Sequence, residues 1–164
     1  MKVLFAVWEL VPFFQVGGLG DVAKSLPKNL HAQGVDVRVI LPFYKALKLH
    51  RLQKKEVKKF NVIYDGKKEK VVIYQIHFLD KNIPIYIIKN EKWLDVPSKD
   101  TFAFYDLCVY EILKNNYLSW VPEIVHCHEH HAGLIPLLIR HNNLKFKTLL
   151  TIHNLNHQGK SSID

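Results

Sequence analysis

Four histidines lie within six residues of this chain, in the run H-C-H-E-H-H at positions 126–131. Imidazole nitrogens are common zinc ligands, and alternate residues of a strand point to one face, so His126, His128 and His130 could share a metal if the strand continued. The preceding apolar residues, however, predict a strand that gives way to a helix around Glu129, which would scatter these side chains. A polar loop that lines a substrate cleft is therefore favoured over a metal site.

Three glycines in the run G-G-L-G-D at 17–21 lie between the first predicted strand and the first predicted helix. Glycine lets the backbone approach a ligand closely, and a helix N-terminus favours phosphate, so this turn is a candidate anion site. A dinucleotide-binding turn does not fit, because eight residues separate Trp8 from Gly17 and no acidic residue ends the second strand at Leu41. A turn that merely starts a helix remains an open alternative.

His153 and Asn154 follow the last predicted strand, and Asn tolerates the unusual backbone angles of a strand exit. A single histidine is more often structural than catalytic. The strand before it is nevertheless predicted to lie beside the strand that ends in the histidine run. We therefore expect the histidines of the two segments to meet.

Strands and helices alternate along the chain and would position these residues. Strands are predicted at 2–8, 35–41, 60–64, 70–78, 83–89, 123–127 and 147–152, and helices from the glycine turn to Gly34, at 101–120 and at 131–141. Asp65-Gly66 predicts an antiparallel hairpin, and Pro27 predicts a kink or an early break in the first helix. The predicted fold class is α/β, with a Rossmann-like, doubly wound, mostly parallel sheet that carries an antiparallel hairpin insertion.

Composition narrows the class of protein. The 164 residues suffice for one domain, and 48% hydrophobic content is ordinary for a globular protein. Two cysteines favour a reducing compartment, and no run approaches the ~20 apolar residues of a membrane helix, so a cytoplasmic protein without a membrane partner is expected. The net charge of +8 comes largely from lysines between 45 and 70. We interpret these as a solvated loop and hairpin, and a nucleic-acid surface is the less favoured alternative.

Four segments together resemble the glycogen and starch synthases, which are retaining glucosyltransferases of the two-domain GT-B fold. QVGGLGDVAKSLPKNL resembles their K-x-G-G-L-[GA]-D motif, HCHEHHAGLIP resembles H-x-H-D-W-H-[AG]-[AG]-L-x-P, and TIHNLNHQG resembles T-[IV]-H-N-[LI]-x-[YF]-Q-G. TFAFYDLCVYEIL resembles a helix that usually reads R-F-A-F-F-S-x-A-A-L-E. The four motifs occur in the family's order and span nearly the whole chain.

The resemblance implies an ADP-glucose or UDP-glucose donor, an α-1,4-glucan acceptor, and chemistry that needs no metal or other cofactor. His153 corresponds to the family histidine that contacts the transferred glucose, and its backbone carbonyl could stabilise an oxocarbenium-like transition state. The resemblance further implies a substrate-binding set made of Glu9, Gln15, Gly17, Gly18, Asp21, His128, Glu129, His131 and Asn154.

Departures from the family pattern affect the expected activity. Gln15 replaces the family lysine, Glu129 replaces an aspartate and His130 replaces a tryptophan. Residues 1–164 are expected to form a single N-terminal domain, half of a GT-B enzyme, without the C-terminal domain that carries most nucleotide contacts. Such a chain would be inactive alone and would need that domain in cis or in trans. A non-catalytic glucan-binding or regulatory module and a metal-dependent hydrolase remain as alternatives.

Overall fold

The computed structural model describes residues 1–45, 53–78 and 83–156. Its elements, in chain order, are β1 Lys2–Ala6, α1 Leu19–Ala32, β2 Asp36–Pro42, β3 Lys55–Tyr64, β4 Lys67–Phe78, β5 Ile83–Lys89, α2 Lys99–Lys114, β6 Ile124–His128, a short 3₁₀ helix His130–Ala132, α3 Leu134–His141 and β7 Lys147–Thr151.

The strands form one sheet in the order β3-β4-β5-β2-β1-β6-β7. The pairs from β5 through β2, β1 and β6 to β7 are parallel, whereas β4 is antiparallel to both β3 and β5. The predicted fold class, a mostly parallel α/β sheet with an antiparallel insertion, is thus confirmed. In the described parts of the chain, no helix is both long enough and apolar enough to cross a membrane.

Helices cover both faces of the sheet because successive strand residues point to opposite sides. Val3 and Phe5 of β1 face a core that includes Leu19 and Ala23 of α1. Leu4 and Ala6 face the other core, in which residues of α2 and α3 pack together with the inner face of the β3–β4 hairpin.

The helix boundaries differ from prediction at identifiable residues. Helix α2 ends at Lys114 rather than Trp120, because Asn116 takes a φ of 50° and Ser119 a φ of 49°. The Trp120 indole then turns back to donate to Asp36 Oδ2 at 2.7 Å. Helix α1 does not break at Pro27, since it continues to Ala32 despite the missing proline N–H, so of the two predicted outcomes the early break is wrong and the kink stays a prediction.

The two ends of the sheet are exposed in different ways. At the β3 end, the hairpin lysines are solvent-exposed, as expected of a solvated surface, and Lys59 pairs with Glu56 at 2.9 Å. Part of the predicted lysine-rich segment, residues 46–52, lies outside the described residues. At the other end, β7 pairs only with β6 among the described strands, and its Leu149 and Leu150 are 50% and 43% exposed.

Candidate active site

A cleft of about 700 Å³ lies where β1, β6 and β7 end. These strands are parallel, so their carboxyl ends meet at one edge of the sheet, where ligands of open α/β sheets bind. The cleft is lined by Trp8, Glu9, Val16, Gly17, Gly18, Leu19, Val22, Glu129, His130, His131, His153 and Asn154. The glycine turn and the two histidine segments, predicted separately, thus line one cavity.

Glu9 holds the glycine turn in place. Its side chain is only 1% exposed, and Oε2 accepts hydrogen bonds from the backbone N–H groups of Val16 at 2.5 Å and Gly17 at 3.2 Å. Oε1 accepts from Gly20 N at 3.0 Å. The carboxylate therefore lies at the N-terminus of α1, where the helix dipole favours negative charge. Glu9 lines the cleft, but its oxygens are committed to ordering this turn.

Gln15 and Asp21 lie outside the cleft lining and are joined to each other. Gln15 Nε2 donates to Asp21 Oδ2 at 2.8 Å and to the Gly17 carbonyl at 3.1 Å. The position of the Gln15 side chain also explains why the third of the motif's glycines, Gly20, has no side chain. A Cβ on Gly20 would lie 3.1 Å from both Gln15 Cγ and Val11 Cγ2, whereas a Cβ on Gly18 would meet nothing within 4 Å.

Glu129 connects β6 to the exit of β7. Its Oε1 accepts from the backbone N–H groups of His153 at 2.5 Å and Asn154 at 2.8 Å, and the side chain is 6% exposed. The residue has φ 63° and ψ 176°, a region that is nearly exclusive to glycine and costs about 1–3 kcal/mol for other residues. Strained backbone of this kind persists only where surrounding contacts fix it, and here it directs the carboxylate at the two amides.

The histidines that follow β6 and β7 meet as predicted. His128 Nδ1 lies 2.9 Å from His153 Nε2, and His126 Nε2 lies 2.8 Å from Thr151 Oγ1. His128 is fully buried and stacks on Phe5 at a ring distance of 3.9 Å, while His153 is exposed at the cleft. His128, predicted to bind substrate, therefore lies beneath the cleft lining and contacts it through His153.

His130 and His131 form a second pair of rings, 3.7 Å apart. His131 stacks on Trp8 at 4.3 Å and meets the edge of Phe102 at 4.3 Å. The strand ends at His128 and Glu129 has a positive φ, so the ring pair of His130 and His131 follows a break in the extended backbone.

Burial keeps several of these imidazoles neutral. It lowers the pKa of His128 to about 2, with smaller contributions from His126 and His153, and lowers the pKa of His131 to about 3, with a contribution from His130. Burial also lowers the pKa of His126. Within residues 1–45, 53–78 and 83–156, no group of three or more His, Cys, Asp or Glu side chains is arranged to hold a metal ion.

Sequence reasoning missed part of the cleft wall. Trp8 was placed in β1, but the strand ends at Ala6 and the indole lines the cleft beside His131. Leu19 and Val22 were assigned to the apolar face of α1, but they lie in the first turn of that helix and also line the cavity. Beneath the cleft loops, Asp106 of α2 is 1% exposed and its Oδ2 accepts from Leu134 N at 2.8 Å. An acidic residue within the otherwise apolar stretch 102–110 of α2 was the available signal for Asp106.

The chain is similar to a known protein family over nearly its whole length. The profile of the family described as Starch synthase catalytic domain matches residues 2–164. The glycogen synthase of Clostridium perfringens is 38% identical over 178 residues, an alignment that covers 100% of this chain and 36% of that protein. The glycogen synthase of Desulfitobacterium hafniense is 39% identical over 174 residues, with 97% of this chain and 36% of that protein covered.

A solved structure has the same fold. The catalytic domain of starch synthase IV from Arabidopsis thaliana, bound to ADP and acarbose, superposes with a TM-score of 0.84 at 26% identity. The match covers 98% of this chain and 35% of the Arabidopsis chain. The present chain thus spans little more than a third of the length of the proteins that it matches.

Proposed function

The chain belongs to the family of starch synthase catalytic domains, and we propose that it supplies the N-terminal half-site of a retaining glucosyltransferase. The proposed reaction transfers glucose from ADP-glucose or UDP-glucose to the non-reducing end of an α-1,4-glucan. ADP and acarbose in the Arabidopsis relative favour a nucleoside diphosphate and an oligosaccharide as the ligand classes.

One observation carries this proposal: the glycine turn and the His153–Asn154 segment line the same cleft at the ends of parallel strands. The turn brings a helix N-terminus to the cavity, which suits the phosphates of a nucleotide sugar. The β7 exit brings an imidazole and backbone groups that suit sugar hydroxyls. A donor bound across the cleft would therefore have its phosphate and its glucose on opposite walls.

The chemical roles follow from how these groups are held. Glu129 fixes the His153 and Asn154 amides, so the His153 carbonyl and ring have defined positions before substrate binds. Groups that are fixed in advance stabilise developing charge without reorganisation. The His153 carbonyl is the candidate group for stabilising an oxocarbenium-like transition state. Glu9 performs the corresponding task for the glycine turn.

A second Rossmann-like domain, in cis or in trans, is part of the proposal. Residues 1–164 are proposed to act as a single domain whose cleft would be closed by a C-terminal nucleotide-binding domain. Closure would exclude water, which would otherwise compete with the glucan for the activated glucose. The catalytic unit would then consist of both domains, and this chain alone would bind its ligands without turnover.

A titration of the isotope-labelled 164-residue chain with ADP-glucose, UDP-glucose and maltooligosaccharide, followed by NMR, tests the half-site. Amide shifts should centre on Gly17, Gly18, Glu129 and His153. The variant Gly18→Ala should keep its stability, because φ is −69° and the new Cβ meets nothing within 4 Å, but it should bind nucleotide more weakly. Gln33→Ala, at the other end of α1, is the matched control. Shifts confined to residues far from the cleft would contradict the proposal.

Gln15 favours a second candidate, a glucan-binding module without catalytic activity. Where the family pattern has a lysine, the Gln15 amide offers no charge to a departing phosphate and is already bonded to Asp21. The two candidates are separated by adding the C-terminal domain of a glycogen synthase in trans and measuring transfer of labelled glucose to glycogen. Transfer supports the enzyme half-site. Glucan binding without transfer, by the wild type and by Gln15→Lys alike, supports the binding module.

A further inference from the structure

Two imidazole rings meet where the cleft lining contacts the buried end of β6. His128 Nδ1 lies 2.9 Å from His153 Nε2, and the rings are nearly parallel, with an interplanar angle of 16°. His128 is 0% exposed and stacked on Phe5, so packing fixes its orientation. His153 is exposed, so its orientation depends on this contact and on the hydrogen bond of its backbone N–H to Glu129.

A hydrogen bond between two neutral imidazoles can be formed in two ways, because each ring carries one N–H and one lone pair. If His153 donated, His128 would carry its proton on Nε2. That atom is buried and has no hydrogen-bond partner among the described residues. If His128 donates from Nδ1, only a lone pair on Nε2 is left without a partner. Buried N–H groups without an acceptor are rarer than unsatisfied acceptors, so the second arrangement is favoured.

The surroundings of His128 support this choice. Burial, with contributions from His126 and His153, lowers the pKa of His128 to about 2, so the ring remains neutral with a single proton. The neighbouring His126 is bonded through Nε2 to Thr151 Oγ1. The Glu129 carboxylate accepts hydrogen bonds from backbone amides of the β7 exit, and neither it nor His126 accepts a hydrogen bond from His128 Nε2.

We infer that His128 is a positioning residue that donates its Nδ1–H to His153 Nε2 and thereby fixes His153 in the Nδ1–H tautomer. His153 then has no free basic nitrogen, and the polar group that its exposed ring offers is an N–H donor. The use of this donor rests on the proposed function: His153 would hydrogen-bond an oxygen of the bound sugar and would not act as a general base. The tautomer itself does not depend on that function.

The tautomer can be measured directly by long-range ¹H–¹⁵N correlation on the ¹⁵N-labelled full chain at about pH 8, above the ordinary histidine pKa. For wild type we expect a protonated-type shift for His153 Nδ1 and an unprotonated-type shift for Nε2, and the same pattern for His128. Protonated-type Nε2 on His153, or shifts averaged between the two forms, would overturn the inference. This measurement needs neither ligand nor activity, so its failure is distinct from a failure of the proposed function.

Two variants separate the hydrogen bond from packing. His128→Phe keeps an aromatic ring against Phe5 but removes the donor, so His153 should shift to the Nε2–H tautomer that free histidine prefers. His128→Asn offers a side-chain N–H near the position of Nδ1 and should keep His153 in the Nδ1–H form. A His153 tautomer unchanged in folded His128→Phe, as judged by its amide spectrum, would refute the role of His128. If that variant does not fold, the wild-type and His128→Asn tautomers still decide.

Discussion

Replacement of Glu129 tests whether its side chain holds the exit of β7. Glu129→Ala removes the acceptor of two hydrogen bonds, to the N–H groups of His153 and Asn154. Hydrogen bonds to charged groups contribute about 1.5–3 kcal/mol each. Both hydrogen bonds are only partly buried, so we expect about 1.5 kcal/mol from each, the lower end of that range, and a loss of about 3 kcal/mol in the free energy of unfolding, a large part of the 5–15 kcal/mol typical of a domain.

Two further substitutions at Glu129 divide this loss by cause. Glu129→Gln keeps an acceptor oxygen but loses the charge, so about half of the destabilisation should remain. Glu129→Gly loses the acceptor but adopts φ 63° and ψ 176° without strain, so it should be more stable than Glu129→Ala by about 1 kcal/mol after the entropic cost of glycine. Glu91→Gln, on a side chain that is 87% exposed, is the matched control and should change stability by less than about 0.5 kcal/mol.

The assay is urea unfolding of the full chain followed by fluorescence of its three tryptophans, combined with amide exchange at His153 and Asn154. Both amides should exchange faster in Glu129→Ala than in Glu91→Gln. A Glu129→Ala variant with wild-type unfolding free energy and unchanged exchange at both amides would refute the argument. A glycine variant less stable than the alanine variant would refute the strain component alone.

Three other predictions concern the surroundings of the cleft. Burial raises the pKa of Asp106 well above its usual range, so wild type loses stability as pH rises above the unfolded pKa of about 3.9. The stability of Asp106→Asn relative to wild type, measured by urea unfolding, should therefore increase between pH 4.5 and 7. A difference that stays constant with pH would contradict this. Burial lowers the pKa of His131 to about 3, so acid destabilises the fold below about pH 6.5. His131→Phe can keep the stack on Trp8 and should reduce the slope of unfolding free energy against pH by less than about 1.4 kcal/mol per pH unit. Melting measured as a function of pH checks this. Gln15→Lys should change stability by less than about 1 kcal/mol, because its partner Asp21 is exposed, yet should tighten ADP binding by calorimetry; unchanged affinity would remove the phosphate role of position 15.

The order and type of the core elements could be predicted because local patterns determine them. Apolar runs mark strands that are buried on both faces, and Asp65-Gly66 marks the hairpin that the structure shows between β3 and β4. The end of α2 could not be predicted from periodicity, since Trp120 is apolar at a helical spacing. Trp120 instead lies outside the helix, where its backbone N–H donates to Asn116 and its indole donates to Asp36, a residue that is distant in sequence.

The location of the candidate site followed from the sequence more readily than the tasks of its residues. Parallel strand ends meet at one edge, so the contact of His128 with His153 could be expected. The role of Glu129 could not, because no local pattern predicts a positive φ at a glutamate or a carboxylate that accepts amides from the next strand. Glu9 is similar: its three backbone donors lie 7 to 11 residues ahead in the chain.

The edge of β7 that pairs with no other described strand is expected to affect how this chain behaves at the concentrations that the NMR experiments require. Among the described residues, no second strand pairs with β7, and such an edge beside exposed Leu149 and Leu150 is a template on which another chain can add a strand. Lys147, the first residue of β7, carries the charge within this strand, and repulsion between the lysines of two chains opposes such strand pairing. Salt screens this repulsion. Spectra should therefore broaden with protein concentration and with ionic strength, first at β7. Dilute, low-salt samples will limit this strand pairing while the cleft is measured.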